Sequence, residues 1–264
     1  MLSPSQIAEK YVAVGKSKAS LPVSRMFVLA IFAGMFISIA GASATIASSA
    51  VDNASISRLI NSLIFPAGLV MVVLAGSELF TGNCLVLISV IKKEVKVLSF
   101  LKCLAVVYIG NLVGSLLVTL LFVYGHTPDL YEGALAQTLV TTAAAKTSLS
   151  FQDAFIRGIL CNFLVCIAVW ITAGGQNAVD KVVGLYPPIF VFVLGGYEHC
   201  VANMFYIPAG IMCASEYGIA AEGLNWGAFF INNLIPVTLG NIIGGAVVVG
   251  MGYWFAYLKG SKTK

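Results

Sequence analysis

Two glutamates lie in otherwise apolar stretches of the chain, and an asparagine follows each of them five residues later. Glu78 and Asn83 belong to the run GSELFTGN, and Glu198 and Asn203 belong to the run YEHCVAN. An ionisable group inside an apolar, membrane-like segment is costly and is a functional candidate by default. Because a bare carboxylate beside a path would repel anions, we expect both glutamates to hold the backbone in shape rather than contact a substrate.

A histidine, His199, directly follows the second glutamate. A lone histidine in apolar surroundings is more often a satisfied core residue, but this one lies where the apolar pattern is interrupted. Imidazole titrates near neutral pH and can donate a hydrogen bond or a proton. Lys146 lies in the more polar stretch 125–150 and is either a solvated loop lysine or, if that stretch folds back, a charge that concentrates anions at the mouth of a path.

The composition indicates that lipid, rather than water, surrounds these residues. The chain has 264 residues, of which 59% are hydrophobic and 10% charged, and its mean hydropathy is +0.95. Soluble domains carry about 25% charged residues, so a particle with so few charges cannot cover a water-facing surface. The sequence therefore predicts an all-α integral membrane protein.

Six membrane passages can be placed along the chain, since a spanning helix needs about 20 apolar residues. They are predicted at 26–50, 59–90, 100–124, 155–172, 185–213 and 229–258. The second and fifth are interrupted around Glu78 and Glu198, and residues 125–150 are expected to form a polar loop or a re-entrant segment. This gives an N-terminal segment (1–25), a single channel domain (26–258) and a C-terminal tail (259–264).

The distribution of basic residues predicts the orientation. Three of the fifteen Lys and Arg residues, Arg58, Lys146 and Arg157, lie on one side, and the other twelve share the opposite side with both termini. This bias places both termini in the cytoplasm. The segment from Tyr11 to Lys18 is expected to be an amphipathic helix on the membrane surface.

The two halves of the chain repeat one pattern. The glutamate–asparagine runs match each other, and GNLVG at 110–114 matches GNIIG at 240–244. Halves of three passages each must be inverted relative to each other, and inverted repeats with broken helices indicate a conduction path between them. Irregular backbone at membrane depth is tolerated beside such a path. The free N–H groups of the half-helices favour anions there.

Several longer motifs carry a resemblance that covers all six passages. They are FPAGL at 65–69, AGSELFTGN at 75–83, NFLVCIAVW at 162–170, GYEHCVANM at 196–204 and NLIPVTLGNIIGG at 233–245. The chain resembles the formate/nitrite transporter family, with the hydrosulfide channels as its nearest branch. The resemblance implies a homopentamer of aquaporin-like protomers in the lipid of a bacterial inner (cytoplasmic) membrane. Each protomer would pass hydrosulfide, formate or nitrite, without a cofactor, a nucleic-acid partner or an enzymatic activity.

The same resemblance implies roles for individual residues. His199 would be the central pore residue and Thr81 its hydrogen-bond partner on a movable loop. Leu69 and Leu79 would line the pore towards the cytoplasm, and Phe65 and Phe192 would line it towards the periplasm. Phe80 would be a further pore-lining residue. The supporting polar residues would be Lys146, Glu198, Asn162 and Glu78. The residues after Thr81, namely Gly82, Asn83 and Cys84, differ from those of some members, which leaves the mobility of the loop open.

Two routes would carry an anion through such a constriction, where the idealised cost of burying a bare ion is of order 20 kcal/mol. Either dipoles and His199 replace the hydration shell, or a weak-acid anion takes up a proton near His199 and crosses as the neutral acid. Alternatives are an aquaporin-like neutral-solute channel, a proton-coupled secondary anion transporter, and a transporter that binds cations at Glu78 and Glu198. A membrane enzyme is disfavoured by two histidines and no cysteine pair of metal-site spacing.

Overall fold

Apolar helices form most of the chain. Along residues 1–260, which the computed structural model describes, the helices are α1 (Pro4–Ser20), α2 (Val23–Ser49), α3 (Ala54–Ala75), α4 (Phe80–Ile91), α5 (Val97–Tyr124), α6 (Ala134–Thr147), α7 (Phe151–Gly174), α8 (Ala178–Leu194), α9 (Cys200–Glu216) and α10 (Trp226–Tyr257). Five of them, α2, α3, α5, α7 and α10, are long and apolar enough to cross a membrane. The chain is therefore an all-helical, multi-pass membrane protein. Of the predicted C-terminal tail 259–264, residues 261–264 lie outside the described part.

Both expected interruptions are present. The second predicted passage, 59–90, divides into α3 and α4, and the fifth, 185–213, divides into α8 and α9. The helices α8 and α9 have 17 residues each, fewer than the roughly 20 that a single span requires. A sixth crossing would have to be shared between these two helices, and it stays a prediction.

The N-terminal segment contains a longer helix than expected. Helix α1 is capped by the Ser3 side chain, which accepts a hydrogen bond from the N–H of Gln6 and so stabilises the first turn. Tyr11 stacks on the ring of Trp170, with ring centroids 6.1 Å apart, and Ile7 is buried beside them. The expectation of a helix resting on lipid is wrong for this face of α1, because other helices of the protein cover it.

Of the two alternatives for the stretch 125–150, the polar loop is wrong, because the stretch contains α6, and the re-entrant segment stays a prediction. Leu135, Leu139 and Ala143 recur at helical spacing along α6 and are buried, and the first two pack in one cluster with residues of α9. Threonines on the opposite face of α6 lower the hydropathy of the stretch, which is why its composition indicated a loop. Helix α6 brings Lys146, in its last turn, to the head of α7.

Close approach between helix backbones fixes the pairs α2–α5 and α7–α10. A Cβ atom at Gly114 would overlap the carbonyl oxygen of Ile31, and one at Gly244 would overlap that of Ile159. Small residues allow such contact between helices in a membrane, where packing rather than the hydrophobic effect drives association. The two pairs therefore form matching frameworks for the interrupted helices.

We predict that Gly244→Ala lowers the stability of the folded protein by about 1–3 kcal/mol, because the added methyl group forces α7 and α10 apart. The matched control is Gly252→Ala in the same helix, where nothing lies within 4 Å of the added carbon. The apparent melting temperature in detergent should fall for the first variant and stay unchanged for the second. Equal melting temperatures in both variants would contradict this packing.

Candidate permeation site

The two interruptions share one backbone shape. Gly76 and Gly196 have φ angles of +80° and +66°, in the left-handed region that glycine adopts without strain. Leu79 and His199, the residues just before α4 and α9, are both extended, with φ angles of −108° and −109°. Leu79 and His199 therefore occupy matching positions at the start of their half-helices.

Two asparagines hold these interruptions in place. The Oδ1 atom of Asn111 accepts the N–H of Phe80 at 2.9 Å, and its Nδ2 atom donates to the carbonyl of Glu78 at 3.0 Å. Asn241 makes the same two contacts with the first residue of α9 and with the carbonyl of Glu198, both at 2.9 Å. The asparagines thereby satisfy the backbone groups that the interruptions leave unpaired.

The carboxylates accept hydrogen bonds from other side chains. Both oxygens of Glu78 lie 2.9 Å from the Lys18 ammonium, and one of them also accepts the Asn83 amide at 2.7 Å. The Glu78 carboxylate does not accept the first free N–H of the half-helix, since Asn111 already accepts that of Phe80. The carboxylate thus joins separate elements of the chain, and the structural role expected of the glutamates stays a prediction.

The second half repeats this arrangement. Glu198 accepts the Lys146 ammonium at 2.8 Å on one oxygen and the Asn203 amide at 2.7 Å on the other. Glu78 and Glu198 are buried, with 6% and 4% of their surfaces exposed. Such pairs are maintained only when further hydrogen bonds offset the loss of hydration, and the amide groups supply these bonds.

Lys18 is the residue that sequence reasoning missed, because it was counted as a charge of the N-terminal segment. Lys18 precedes Glu78 by 60 residues and Lys146 precedes Glu198 by 52. Both lysines end a helix just before the first long helix of their half. If the repeat is extended upstream to include the helix before each half, Lys18 and Lys146 occupy matching positions.

His199 and Thr81 meet between the two glutamate networks. The Nε2 atom of His199 lies 3.0 Å from Oγ1 of Thr81, and its Nδ1 atom accepts the backbone N–H of Ala202 at 3.0 Å. Because Nδ1 acts as an acceptor, this geometry assigns a neutral ring whose proton is on Nε2. The ring is therefore positioned to offer one N–H towards Thr81, while its other nitrogen caps α9.

Two cavities approach this contact from opposite ends. The Lys18 cavity, of about 490 Å³, is lined by Lys10, Lys18, Lys181 and Glu78 together with Leu69 and Leu79. The Lys146 cavity, of about 540 Å³, is lined by Arg58, Lys146, Arg157 and Glu198 together with Phe65, Phe192 and His199. Each cavity thus presents three basic side chains and one carboxylate.

Aromatic and aliphatic side chains narrow the space near His199. The ring of Phe192 stacks on His199 with centroids 5.9 Å apart, and Phe65 meets Phe192 edge to face at 5.6 Å. Leu79 lies on the other side, where it lines the Lys18 cavity. Phe80 packs its ring against Tyr108, with centroids 4.8 Å apart.

Asn162 contacts the backbone of two residues near His199. Its amide donates to the carbonyl of Thr81 at 3.3 Å and to the carbonyl of Asn241 at 2.6 Å. It therefore holds the backbone on the Thr81 side, and it reaches Glu198 only indirectly through Asn241. Gly245 makes room for this amide, because a Cβ atom there would overlap it.

Comparison with known proteins gives one consistent family. Residues 5–255 match the family model described as formate/nitrite transporter. The chain is 35% identical to a probable formate transporter of Methanothermobacter thermautotrophicus over 97% of each protein. It is 35% identical to the formate channel FocA of Escherichia coli (strain K12), over 98% of this chain and 95% of that protein. A solved pentameric formate channel with formate bound is similar at a TM-score of 0.80 and 36% identity, covering 89% of this chain and 98% of that one.

We predict that breaking the buried Lys18–Glu78 pair is far more damaging than breaking an exposed pair on the same helix. Lys18→Met or Glu78→Gln should cost about 3–5 kcal/mol of stability, because each leaves the other charge without its counter-charge in a largely buried place. The double variant should cost less than the sum of the two. The matched control is Lys16→Met with Glu94→Gln, a pair whose side chains are 62% and 39% exposed; its melting temperature in detergent should barely change. Equal losses for the two pairs would refute the structural role of Lys18.

Proposed function

Because the chain belongs to the formate/nitrite transporter family, we propose that it conducts formate across the membrane through a path within each protomer. The observation that carries this proposal is the pair of basic cavities on either side of the His199–Thr81 contact. The names of the similar proteins support formate as the substrate, since two are named for formate and the similar solved channel has formate bound.

The charges of the cavities favour anions at both ends. In each cavity, three basic side chains face one glutamate, so the lining is net positive. A net positive cleft with apolar walls raises the local concentration of anions. A cation site at Glu78 or Glu198 is disfavoured, because a lysine ammonium already binds each carboxylate.

The apolar passage between the cavities favours movement of the neutral acid. An anion that leaves a lysine for apolar surroundings loses hydration, which raises its affinity for a proton. We propose that formate takes a proton from cavity water, leaving hydroxide behind, crosses as formic acid and returns the proton to water in the other cavity. The Nε2–H group of His199 would leave its contact with Thr81 and donate a hydrogen bond to an oxygen atom of the passing formic acid.

The proposal also includes the topology, orientation and assembly of the chain in the membrane. The matching contacts of Asn111 and Asn241, and of Lys18 and Lys146, support two inverted halves with six crossings. The bias of basic residues supports cytoplasmic termini, so that the Lys18 cavity would face the cytoplasm. The pentameric similar channel supports a homopentamer. A bacterial inner membrane is the proposed location, and nitrite and hydrosulfide are further candidate substrates because they too are conjugate bases of weak acids.

We predict that proteoliposomes containing the protein take up formate faster as the external pH falls. Nitrite and hydrosulfide should follow the same trend, while chloride, which has no weak acid form, should move only as fast as in protein-free liposomes. Osmotic swelling in glycerol tests the neutral-solute alternative, and the swelling rate should be the same with and without the protein. Replacement of sodium by potassium tests the cation-coupled alternative, and the formate uptake rate should be the same in both salts. Chloride flux equal to formate flux would contradict passage as the neutral acid, and absent formate flux would contradict the proposed substrate.

A further inference from the structure

The two glutamate networks differ in residue type at one pair of matching positions. Cys103 and Asn233 each lie eight residues before the asparagine that caps a half-helix. The Asn83 amide lies 3.6 Å from the sulfur of Cys103, and the Asn203 amide donates to Oδ1 of Asn233 at 2.7 Å. A thiol therefore occupies the place in the first network that an amide occupies in the second.

Asn233 gives Glu198 a donor that Glu78 lacks in its own network. The Nδ2 atom of Asn233 lies 3.3 Å from an oxygen of Glu198, which also accepts the Asn203 amide. If the Lys146 ammonium leaves, two amide groups still bind this carboxylate. Asn233 lies in a π-helical segment of α10, Phe229–Leu234, and such segments are frequent at functional sites.

Asn233 also binds the backbone of Lys146. Its Nδ2 atom donates to the backbone carbonyl of Lys146 at 2.9 Å. The Lys146 ammonium lies 5.6 Å from the ring centroid of Tyr206, a distance at which cation and ring attract each other. Tyr206 therefore attracts the ammonium in the same cavity as Glu198 does, so that the carboxylate is not the sole group that stabilises the Lys146 charge there.

Lys18 is bound more firmly to its glutamate. Its ammonium lies 2.9 Å from both oxygens of Glu78, whereas the Lys146 ammonium contacts one oxygen of Glu198. Loss of the Lys18 ammonium would leave Glu78 with one amide donor, Asn83, because the thiol of Cys103 is a weak donor that faces Asn83. The free-energy cost of removing a partner from a buried carboxylate rises with the number of carboxylate hydrogen bonds that are left unmade.

We propose that Asn233 is a positioning residue that frees Lys146 to bind an incoming anion, while Lys18 stays bound to Glu78. The inference rests on the proposed function. It makes the two ends of the path unequal: formate binds more tightly from the Lys146 cavity than from the Lys18 cavity. With equal pH on both sides the net flux must vanish at equal formate concentrations, so the maximal rate from the Lys146 side must be lower in the same proportion.

The test is the concentration dependence of labelled formate uptake in right-side-out and inside-out membrane vesicles. For the wild type, half-saturation should occur at about a tenfold lower concentration from the Lys146 side, the difference that one hydrogen bond to a charged group produces. Asn233→Cys should raise that concentration and the maximal rate together. Cys103→Asn should lower the half-saturation on the Lys18 side, a gain that misfolding cannot imitate. The double exchange should reverse the asymmetry.

Melting temperatures in detergent monitor folding: Asn233→Cys should melt at a lower temperature, because it removes three hydrogen bonds of the buried Asn233 side chain, whereas Cys103→Asn should stay close to the wild type. Equal half-saturation from both sides in the wild type, or an unchanged value in Cys103→Asn, would overturn the inference alone. A wild type that carries no formate from either side would overturn the proposed function and the inference with it.

Discussion

Backbone groups that leave a helix inside a membrane have no water to bind, and the rest of this protein is arranged around that constraint. Asn111 and Asn241 each accept the first N–H of a half-helix and donate to the carbonyl of the preceding glutamate. An unpaired polar group in an apolar environment costs several kcal/mol. The interruptions can therefore exist only because these two amides are held in position by the close-packed helix pairs α2–α5 and α7–α10.

The glutamate at each interruption determines where a partly buried lysine lies. Each glutamate needs a cation, and a lysine from the helix before its half supplies it. The lysines in turn enter the two cavities, where further basic side chains give an excess of positive charge. The proposed path would thus have attractive ends and an apolar middle, with His199 and Thr81 in contact between them. In the proposed function, the same groups that stabilise the fold also attract the anion.

Much of this could be predicted from the sequence. The apolar passages, the interruptions at Glu78 and Glu198, and the matching GNxxG motifs are local patterns that need no tertiary information. The resemblance to the family is confirmed by the family model over residues 5–255. Contact between His199 and Thr81 needed that resemblance, because nothing in their spacing along the chain relates them.

What could not be predicted depends on tertiary pairing. Lys18 was grouped with other basic residues because a charge count does not distinguish a lysine that faces the cytoplasm from one that reaches a buried carboxylate. Helix α6 was hidden because its buried leucines alternate with threonines, and average hydropathy does not separate the two faces. The contacts of Asn162 with Thr81 and Asn241 depend on the space at Gly245, which only the packed helices reveal.

The most direct measurement of the central claim is formate uptake by two variants at the His199–Thr81 contact. His199→Phe loses both the Nε2 hydrogen and the cap on the Ala202 N–H, whereas asparagine in the same place can still cap α9 but is too short to reach Thr81. Uptake should fall about tenfold or more in both variants, while the melting temperature falls only in the phenylalanine variant. His126→Asn, in the loop before α6, should change neither. Wild-type uptake of formate in both His199 variants would contradict a path through this contact.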